Sequence, residues 1–443
     1  MLVDYESLLA KDLAERIRIS LGHAAWSIFR RNVQPDYTNI SIMGAAVALA
    51  AGELLFEPRL IQYGRLRLRR QLEHVQYHGG FQEYNSPTYT VVAVAEIERI
   101  LRLVRDPEAR DLAVKLHVVA WETIASHYHP ATGQWAGPHS RAYSDWLQTG
   151  TAQFLSARTG AQIPVRTETG ELSQESFDNP LPCPSGLAPL FAASNGDDLE
   201  VRSRFLRRDP DSLSTYGVTW LSEHACLGSI SSDIMWTQRR VLLGYWRSDE
   251  DPAVCLRLRF LHDGRDFSSA VISNAQDTTR ILSLVGFVLG RGDFHPSLDC
   301  PRDNIFHGAD FRMRYQLAGA GASVKQTGEC TYELSAGAYR AVVNECAGWF
   351  DGAPIRWEMG QEQDTAYVDA VCYAGRERDF DFRTLGTSVI AAGMELLATG
   401  QTAVNEMPSL SVSPDNVAVA DWNLHPPLSV THRASPRTSV SPP

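Results

Sequence analysis

Between Gly79 and Tyr89 the chain reads Gly-Gly-Phe-Gln-Glu-Tyr-Asn-Ser-Pro-Thr-Tyr, which places two phenols, Tyr84 and Tyr89, beside the amide of Asn85. Phenols carry and deliver protons, and an amide or guanidinium holds an oxyanion, so this combination suits acid/base chemistry next to a carboxylate or enolate. Ser86-Pro87 reads as an N-cap followed by the first helical position, where a side-chain oxygen meets an unpaired amide and proline's missing N–H costs nothing. The polar residues thus stand at a helix mouth. Two other junctions repeat the arrangement: Asp36-Tyr37-Thr38-Asn39 ahead of an apolar helix at 40–55, and Arg141-Ala142-Tyr143-Ser144-Asp145-Trp146 ahead of a later one. Three similar mouths point to one shared site.

The stretch from His127 to Tyr143 adds His129 and His139, Arg141, and the aromatics Tyr128 and Trp135. Histidine titrates near neutrality and arginine offers a planar fork to an anion. The catalytic candidates are Tyr84, Asn85, Tyr89, His139 and Tyr143; the substrate-binding candidates are Tyr37, Asn39, His78, Trp135 and Arg141. Trp236 and Arg239 join them from Asp233-Ile234-Met235-Trp236-Thr237-Gln238-Arg239-Arg240, a strand opening able to close the mouth. Each has a structural alternative. Asparagine ahead of an N-cap stabilises turns, Tyr89 packs as core in a first helical turn, His127 and Tyr128 cap a helix, Trp135 pins the loop, and 233–240 supplies interdomain ion pairs. His129 and His139 lack the spacing of a helical zinc pair, so no metal is expected. Glycine-rich phosphate fingerprints, a G-x-S-x-G elbow and a P-loop are absent, so no cofactor is expected either.

The elements that position these residues are helical at first. Segments near 4–30, 40–55, 59–77, 87–105, 107–128 and 144–157 have amphipathic spacing, Asp106-Pro107 forms a second cap, and Glu98 and Arg102 are spaced for an i,i+4 pair. Tight turns at 56–58 and 105–107 alternate with long polar loops at 31–39, 78–86 and 129–143. In a ring of antiparallel hairpins, alternate connections share one rim, which gathers the three long loops. From about 216 the pattern changes to period two, with Val254, Leu256, Leu258 and Phe260 alternating against Cys255, Arg257 and Arg259. A helix is expected at 388–399, ending at Gly400, and a disordered tail from about 424. The resulting fold class is α+β and multidomain: an incomplete α/α toroid over 1–160, a connection with room for one helix over 161–215, an antiparallel β-sandwich over 216–423, and the tail over 424–443.

A net charge of −11 over 443 residues, with no basic block, argues against nucleic acid and anionic membrane as partners. The run Ile42 to Ala51 is too short to cross a bilayer. Met1-Leu2-Val3-Asp4-Tyr5-Glu6 lacks the positive start and apolar core of a signal peptide, and the seven cysteines are odd in number and widely spaced, so a cytoplasmic protein with reduced thiols is expected.

A helical toroid followed by an antiparallel sandwich resembles the polysaccharide lyases of the heparinase II/III, chondroitin AC and hyaluronate lyase type. Gly80-Phe81-Gln82-Glu83-Tyr84-Asn85 with Tyr89 looks like the loop of that family in which a Gly-x-Phe start leads to a polar catalytic residue and a tyrosine. The resemblance implies proton removal beside a uronic-acid carboxylate, with Asn85 binding the carboxylate and Tyr89 or Tyr143 shuttling the proton. Two departures stand out. The family places a histidine where this chain has Glu83-Tyr84-Asn85, and the helical part is about half of a full ring.

These readings lead to a cofactor-free acid/base enzyme of lyase, dehydratase or cyclase type, acting on an intracellular small molecule such as a natural-product intermediate. The alternatives are a uronate polysaccharide lyase working by β-elimination, and a non-catalytic carbohydrate-binding protein. The expected partner is a small-molecule or sugar-acid substrate, and a half-sized ring leaves room for a second copy of the chain.

Overall fold

The computed structural model describes residues 2–164, 180–192, 196 and 198–438. The chain is mixed α+β, with helices in its first part and antiparallel sheets in the rest. The helices are α1 (Lys11–Arg31), α2 (Thr38–Leu54), α3 (Pro58–His78), α4 (Tyr89–Leu103), α5 (Pro107–His127) and α6 (Thr149–Thr159). The apolar run lies in α2, where Ile42, Ala45, Ala46, Ala48, Leu49 and Ala51 are buried. Its small side chains let neighbouring helices approach closely on several sides. None of the described helices is long and apolar enough to cross a membrane.

Both predicted caps form. The Asp106 carboxylate accepts from Ala109 N at 2.9 Å, and Ser86 Oγ accepts from Tyr89 N at 2.9 Å. Three local expectations change. A break at Leu9 and Ala10 separates α1 from a short turn at Leu2–Tyr5. Glu98 does not use Arg102; its carboxylate takes Arg158 of α6 at 2.8 and 2.7 Å, because a buried two-pronged pair outcompetes a solvated i,i+4 contact. Helix α6 starts at Thr149 rather than near 144, since Trp146 Nε1 donates to Ala253 O and Leu147 N to Gln134 Oε1. These tertiary bonds hold 146–147 out of helical conformation.

Among the described residues the second part contains two nine-stranded sheets and one of three strands. One large sheet runs from Leu199–Leu206 through Thr215–Leu221, Ala225–Ile230, Leu242–Trp246, Val254–His262, Ile305–Ala318 and Thr365–Asp381 to Arg356–Glu362. The other centres on Ala270–Asp277, Arg280–Leu289, Val389–Ala398 and Tyr339–Phe350. The period-two residues Leu256, Leu258 and Phe260 of the first join Ile281, Val285 and Phe287 of the second in one apolar cluster.

Three expectations are corrected here. Residues 388–399 are a strand, Val389–Ala398, paired on both sides by Arg280–Leu289 and Tyr339–Phe350. Its Ala, Met and Leu residues favour helix in isolation, but burial on both faces decides the outcome. Gly393 is needed there because a Cβ would come 2.9 Å from the Trp422 ring. The tail is ordered at least to Thr438: Leu428–Arg433 pairs with Val417–Trp422, burying Leu428 and Val430. The sheet also begins at Leu199, inside the span read as a connection, and the helix sought there is a single turn at Ala188–Phe191. Residues 165–179 of that connection lie outside the described residues.

The loop between α5 and α6 is clamped to the first large sheet. His139 and Arg240 exchange backbone hydrogen bonds at 3.0 Å each, and Ala142 N donates to Gln238 O. Thr219 Oγ1 donates to Gly137 O at 2.6 Å, and His129 Nε2 lies 2.8 Å from Ser222 O. The approach is close enough that a Cβ on Gly228 would stand 1.9 Å from Gly137 O.

Candidate functional site

The long loops do meet. Glu83 Oε2 accepts from Asn39 N at 3.0 Å, in the first turn of α2, and its Oε1 lies 3.5 Å from Arg141 Nη1. Ser140 N and Oγ both donate to Tyr84 O, and Ser86 Oγ donates to Arg141 O. The carboxylate of Glu83 thus serves the unpaired amides and positive end of α2 from another loop. Burial pushes its carboxyl up, opposed by the Asn39 amide and by Arg141 and Arg239.

Arg141 is the centre of this rim. Its guanidinium stacks over Tyr89 at 4.6 Å and over Trp236 at 5.0 Å. Nε donates to Gln238 Oε1 at 2.6 Å, and Nη2 donates to Tyr89 Oη at 3.1 Å. Tyr89 Oη is 2.6 Å from Tyr143 Oη, and Tyr143 is 53% exposed. Arg141 donates to the Tyr89 oxygen, and either hydroxyl can be the donor in the Tyr89–Tyr143 contact; when Tyr89 donates, the Tyr143 O–H is the end of a donor chain. Burial and then the Tyr143 hydrogen bond raise the Tyr89 phenol above its ordinary range, so it stays protonated at neutral pH.

Tyr84 faces the other way. Its hydroxyl donates to Asp233 Oδ2 at 2.7 Å, the same oxygen that takes Arg239 Nη1 at 2.5 Å, and its ring stacks on Phe205 at 4.4 Å. Burial, then Asp233, holds this phenol well above its usual range. Gln82 and Tyr84 line a cleft of about 960 Å³ whose other walls are 205–216, 231–234, 271–274 and 429–432. Alternate residues of the loop therefore serve opposite sides, Glu83 the rim and its neighbours the cleft.

The remaining candidates are committed to the fold. Asn85, 1% exposed with φ of 42°, donates through Nδ2 to Ala136 O and Pro138 O at 2.9 and 2.8 Å and accepts Trp135 Nε1 at 2.5 Å. No donor is left for an oxyanion. His139 Nδ1 meets Asn85 O at 2.7 Å and Nε2 meets Trp135 O at 3.1 Å. Burial pushes His139 down to about 3 and both His127 and His129 to about 4; a neutral His139 ring donates to only one of its two carbonyl neighbours. His78, at the end of α3, accepts from Arg207 N at 3.1 Å. Tyr37 is exposed at the start of α2 with its carbonyl taken by Ser41 N. Asn39 reaches the rim through its backbone amide.

Sequence reasoning gathers Tyr89, Arg141, Tyr143 and Trp236 into one place and leaves Glu83 out. The available signal was a carboxylate in the loop facing a helix start that has no acidic cap of its own. Among the described residues no group of three or more His, Cys, Asp and Glu side chains is arranged to hold a metal ion.

Residues 1–158, which cover the helical part, match the model of a family described as a domain of unknown function, DUF8769. No curated protein sequence matches the chain.

Proposed function

We propose that the chain is a cofactor-independent acid/base enzyme of lyase, dehydratase or cyclase type, with the rim around Tyr89, Arg141 and Tyr143 as its active site. The observation that carries this reading is the 2.6 Å contact between the Tyr89 and Tyr143 hydroxyls, backed by Arg141 and open to solvent at Tyr143. In the resting state this chain of donors suits a general acid. Tyr143 delivers its proton to a developing oxyanion or leaving-group oxygen, Tyr89 replaces that proton, and Arg141 stabilises the charge left behind. Glu83 acts as a positioning residue, anchoring Arg141 between the two aromatic rings. The histidines and Asn85 build the platform.

A second reading is β-elimination on a uronate polymer. It is supported by the order of helical hairpins followed by paired sheets, which we take as a partial α/α toroid and a β-sandwich, and by the Gly80-Phe81 start of the loop. Mass spectrometry of extract fractions incubated with the protein tests the first reading: it expects a product isomeric with its precursor, or lighter by a neutral fragment such as water, that Tyr143→Phe fails to make. A panel of uronate polymers followed in the near ultraviolet tests the second. Silence in both assays overturns the enzymatic assignment.

A further inference from the structure

We propose that His295 is a further substrate-binding residue of the tyrosine rim, supplying a fixed N–H donor to an oxygen of the substrate remote from the one that Tyr143 protonates. The assignment rests on the rim being the active site. His295 comes from the loop 290–304, between the strands Arg280–Leu289 and Ile305–Ala318. Its ring meets that of Trp236 edge to face with centroids 5.1 Å apart, and the Arg141 guanidinium lies 5.0 Å from the same indole. His295 is therefore one aromatic ring away from the cation that backs the tyrosine pair.

The loop holds this ring in one state. The Asp299 carboxylate accepts from the backbone amides of Asp293, Phe294 and His295 at 3.1, 2.8 and 3.2 Å, and Ser268 N donates to Asp293 O at 2.6 Å, tying the loop to the sheet. His295 Nδ1 in turn accepts from Ser297 N at 3.1 Å and Leu298 N at 3.2 Å. A ring nitrogen that accepts from two amides carries no proton, so the proton of this imidazole is on Nε2. That N–H has no hydrogen-bond partner among the described residues and is not closed off from solvent. One nitrogen shapes the turn and the other is left as a donor, matched to a carbonyl, carboxylate or hydroxyl oxygen. With an indole between it and Arg141, that oxygen is several bonds from the reacting one, so the substrate is an extended molecule with oxygens at both ends. A contact to a remote group is made alike in the ground and transition states, and it acts on binding rather than on the chemical step.

Side-chain amides separate the two nitrogens. In His295→Asn the Oδ1 takes the place of Nδ1 and keeps the turn, while the distal donor is lost. In His295→Gln the amide N–H reaches the Nε2 position and the turn acceptor is lost. Kinetics of the full chain on its reactive extract fraction are expected to show KM raised about tenfold in the Asn variant, as for one lost hydrogen bond, with kcat nearly constant. The Gln variant should recover most of that KM despite a lower urea midpoint. Leu298→Ser, at an 82% exposed site in the same loop, should match the parent in both constants. Ring nitrogen NMR shifts of the full chain, assigned by difference from His295→Asn, should show the Nε2–H form. An Nδ1–H ring, or a parent-like KM in a stably folded Asn variant, would overturn the assignment; where Tyr143→Phe has abolished turnover, the active-site reading survives that loss. Full turnover in Tyr143→Phe, or no turnover in any fraction, removes the active site and the role of His295 with it.

Discussion

Asp145, from the loop ahead of α6, accepts Arg257 Nη1 of the strand Val254–His262 at 2.6 Å, joining the helical part to the sheet through a buried ion pair. Arg240 Nε stands 2.7 Å from the other carboxylate oxygen, close enough for charge pairing though off the line of a good hydrogen bond. Burial opposes ionisation here, but Arg257 and Arg240 prevail and hold the Asp145 carboxyl down at about 2. Removing Asp145 takes the ion partner from buried Arg240 and leaves buried Arg257 with only Asp266, 3.7 Å away. Asp145→Ala is expected to cost about 3–5 kcal/mol, read from urea denaturation midpoints. A change below about 1 kcal/mol would show the clamp to be dispensable. The sign of the pH effect follows from the depressed value: the stabilisation is complete above the ordinary aspartate range near ~3.9 and is lost as pH falls through about 2.

The buried histidines set a second, higher acid limit. Burial depresses His127 and His129 to about 4 and His139 to about 3, below the ordinary value of ~6.5. A depressed group contributes stability that is full above its unfolded value and declines as pH falls toward the folded one. Each histidine adds a slope of up to about 1.4 kcal/mol per pH unit between roughly 6.5 and its folded value. Thermal melts from pH 7 to pH 4 should therefore fall steeply. Replacing His139 by Gln should flatten that slope while lowering stability at pH 7; an unchanged slope would mean that His139 does not titrate on unfolding.

Much of the helical part could be read from the sequence, because caps such as Asp106-Pro107 and the apolar run in α2 act locally. The convergence of Tyr89, Arg141 and Tyr143 followed from the alternation of short and long connections. What could not be read was the use to which the loop polar groups are put. Asn85 and His139 look like chemistry in sequence, yet each spends its polar atoms on backbone or Trp135 at the junction of helices and sheet. That demand arises only once Gly137 packs on Gly228, a contact separated by most of a hundred residues. The strand Val389–Ala398 failed for a related reason: its composition favours helix, and only two flanking strands overrule it.

Asn85 separates the structural use of the loop from a substrate-binding one. Its amide satisfies Ala136 O, Pro138 O and the Trp135 indole, all buried. Asn85→Ala should cost about 3 kcal/mol or more through the unpaired groups it leaves. Asn85→Asp should be at least as harmful, because a carboxylate cannot donate to two carbonyls. Both changes are to be measured by denaturant unfolding alongside tryptophan fluorescence of the native state. Full stability in Asn85→Ala would return this residue to the substrate-binding role suggested by the lyase resemblance.

Gly228 tests the junction sterically. Any side chain there drives a Cβ to within 1.9 Å of Gly137 O, so Gly228→Ala must shift the loop carrying Pro138 and His139. Amide hydrogen exchange should accelerate across 134–147 in the variant, while the strands around Tyr339–Phe350 keep their protection. Unchanged exchange in the loop would show that it yields without loosening.

Tyr89 and Tyr143 are predicted to behave as one unit. The two hydroxyls are hydrogen-bonded to each other and Arg141 donates to Tyr89, so deleting either hydroxyl interrupts the same path. With a reactive fraction in hand, Tyr143→Phe and Tyr89→Phe should each lower kcat by about 10²–10⁴, the range for loss of a positioned acid or base. The double variant should be little worse than the poorer single one, because members of a catalytic unit are strongly non-additive. Stability should change by less than about 1 kcal/mol for Tyr143→Phe, since that ring is already half in solvent. Arg141→Lys is the companion variant: it keeps the charge but loses the fork that reaches Gln238 and Tyr89 together, so kcat should fall with it. Modest and additive losses across this set would mean that the two tyrosines only shape the rim, and the proton donor would have to be sought elsewhere.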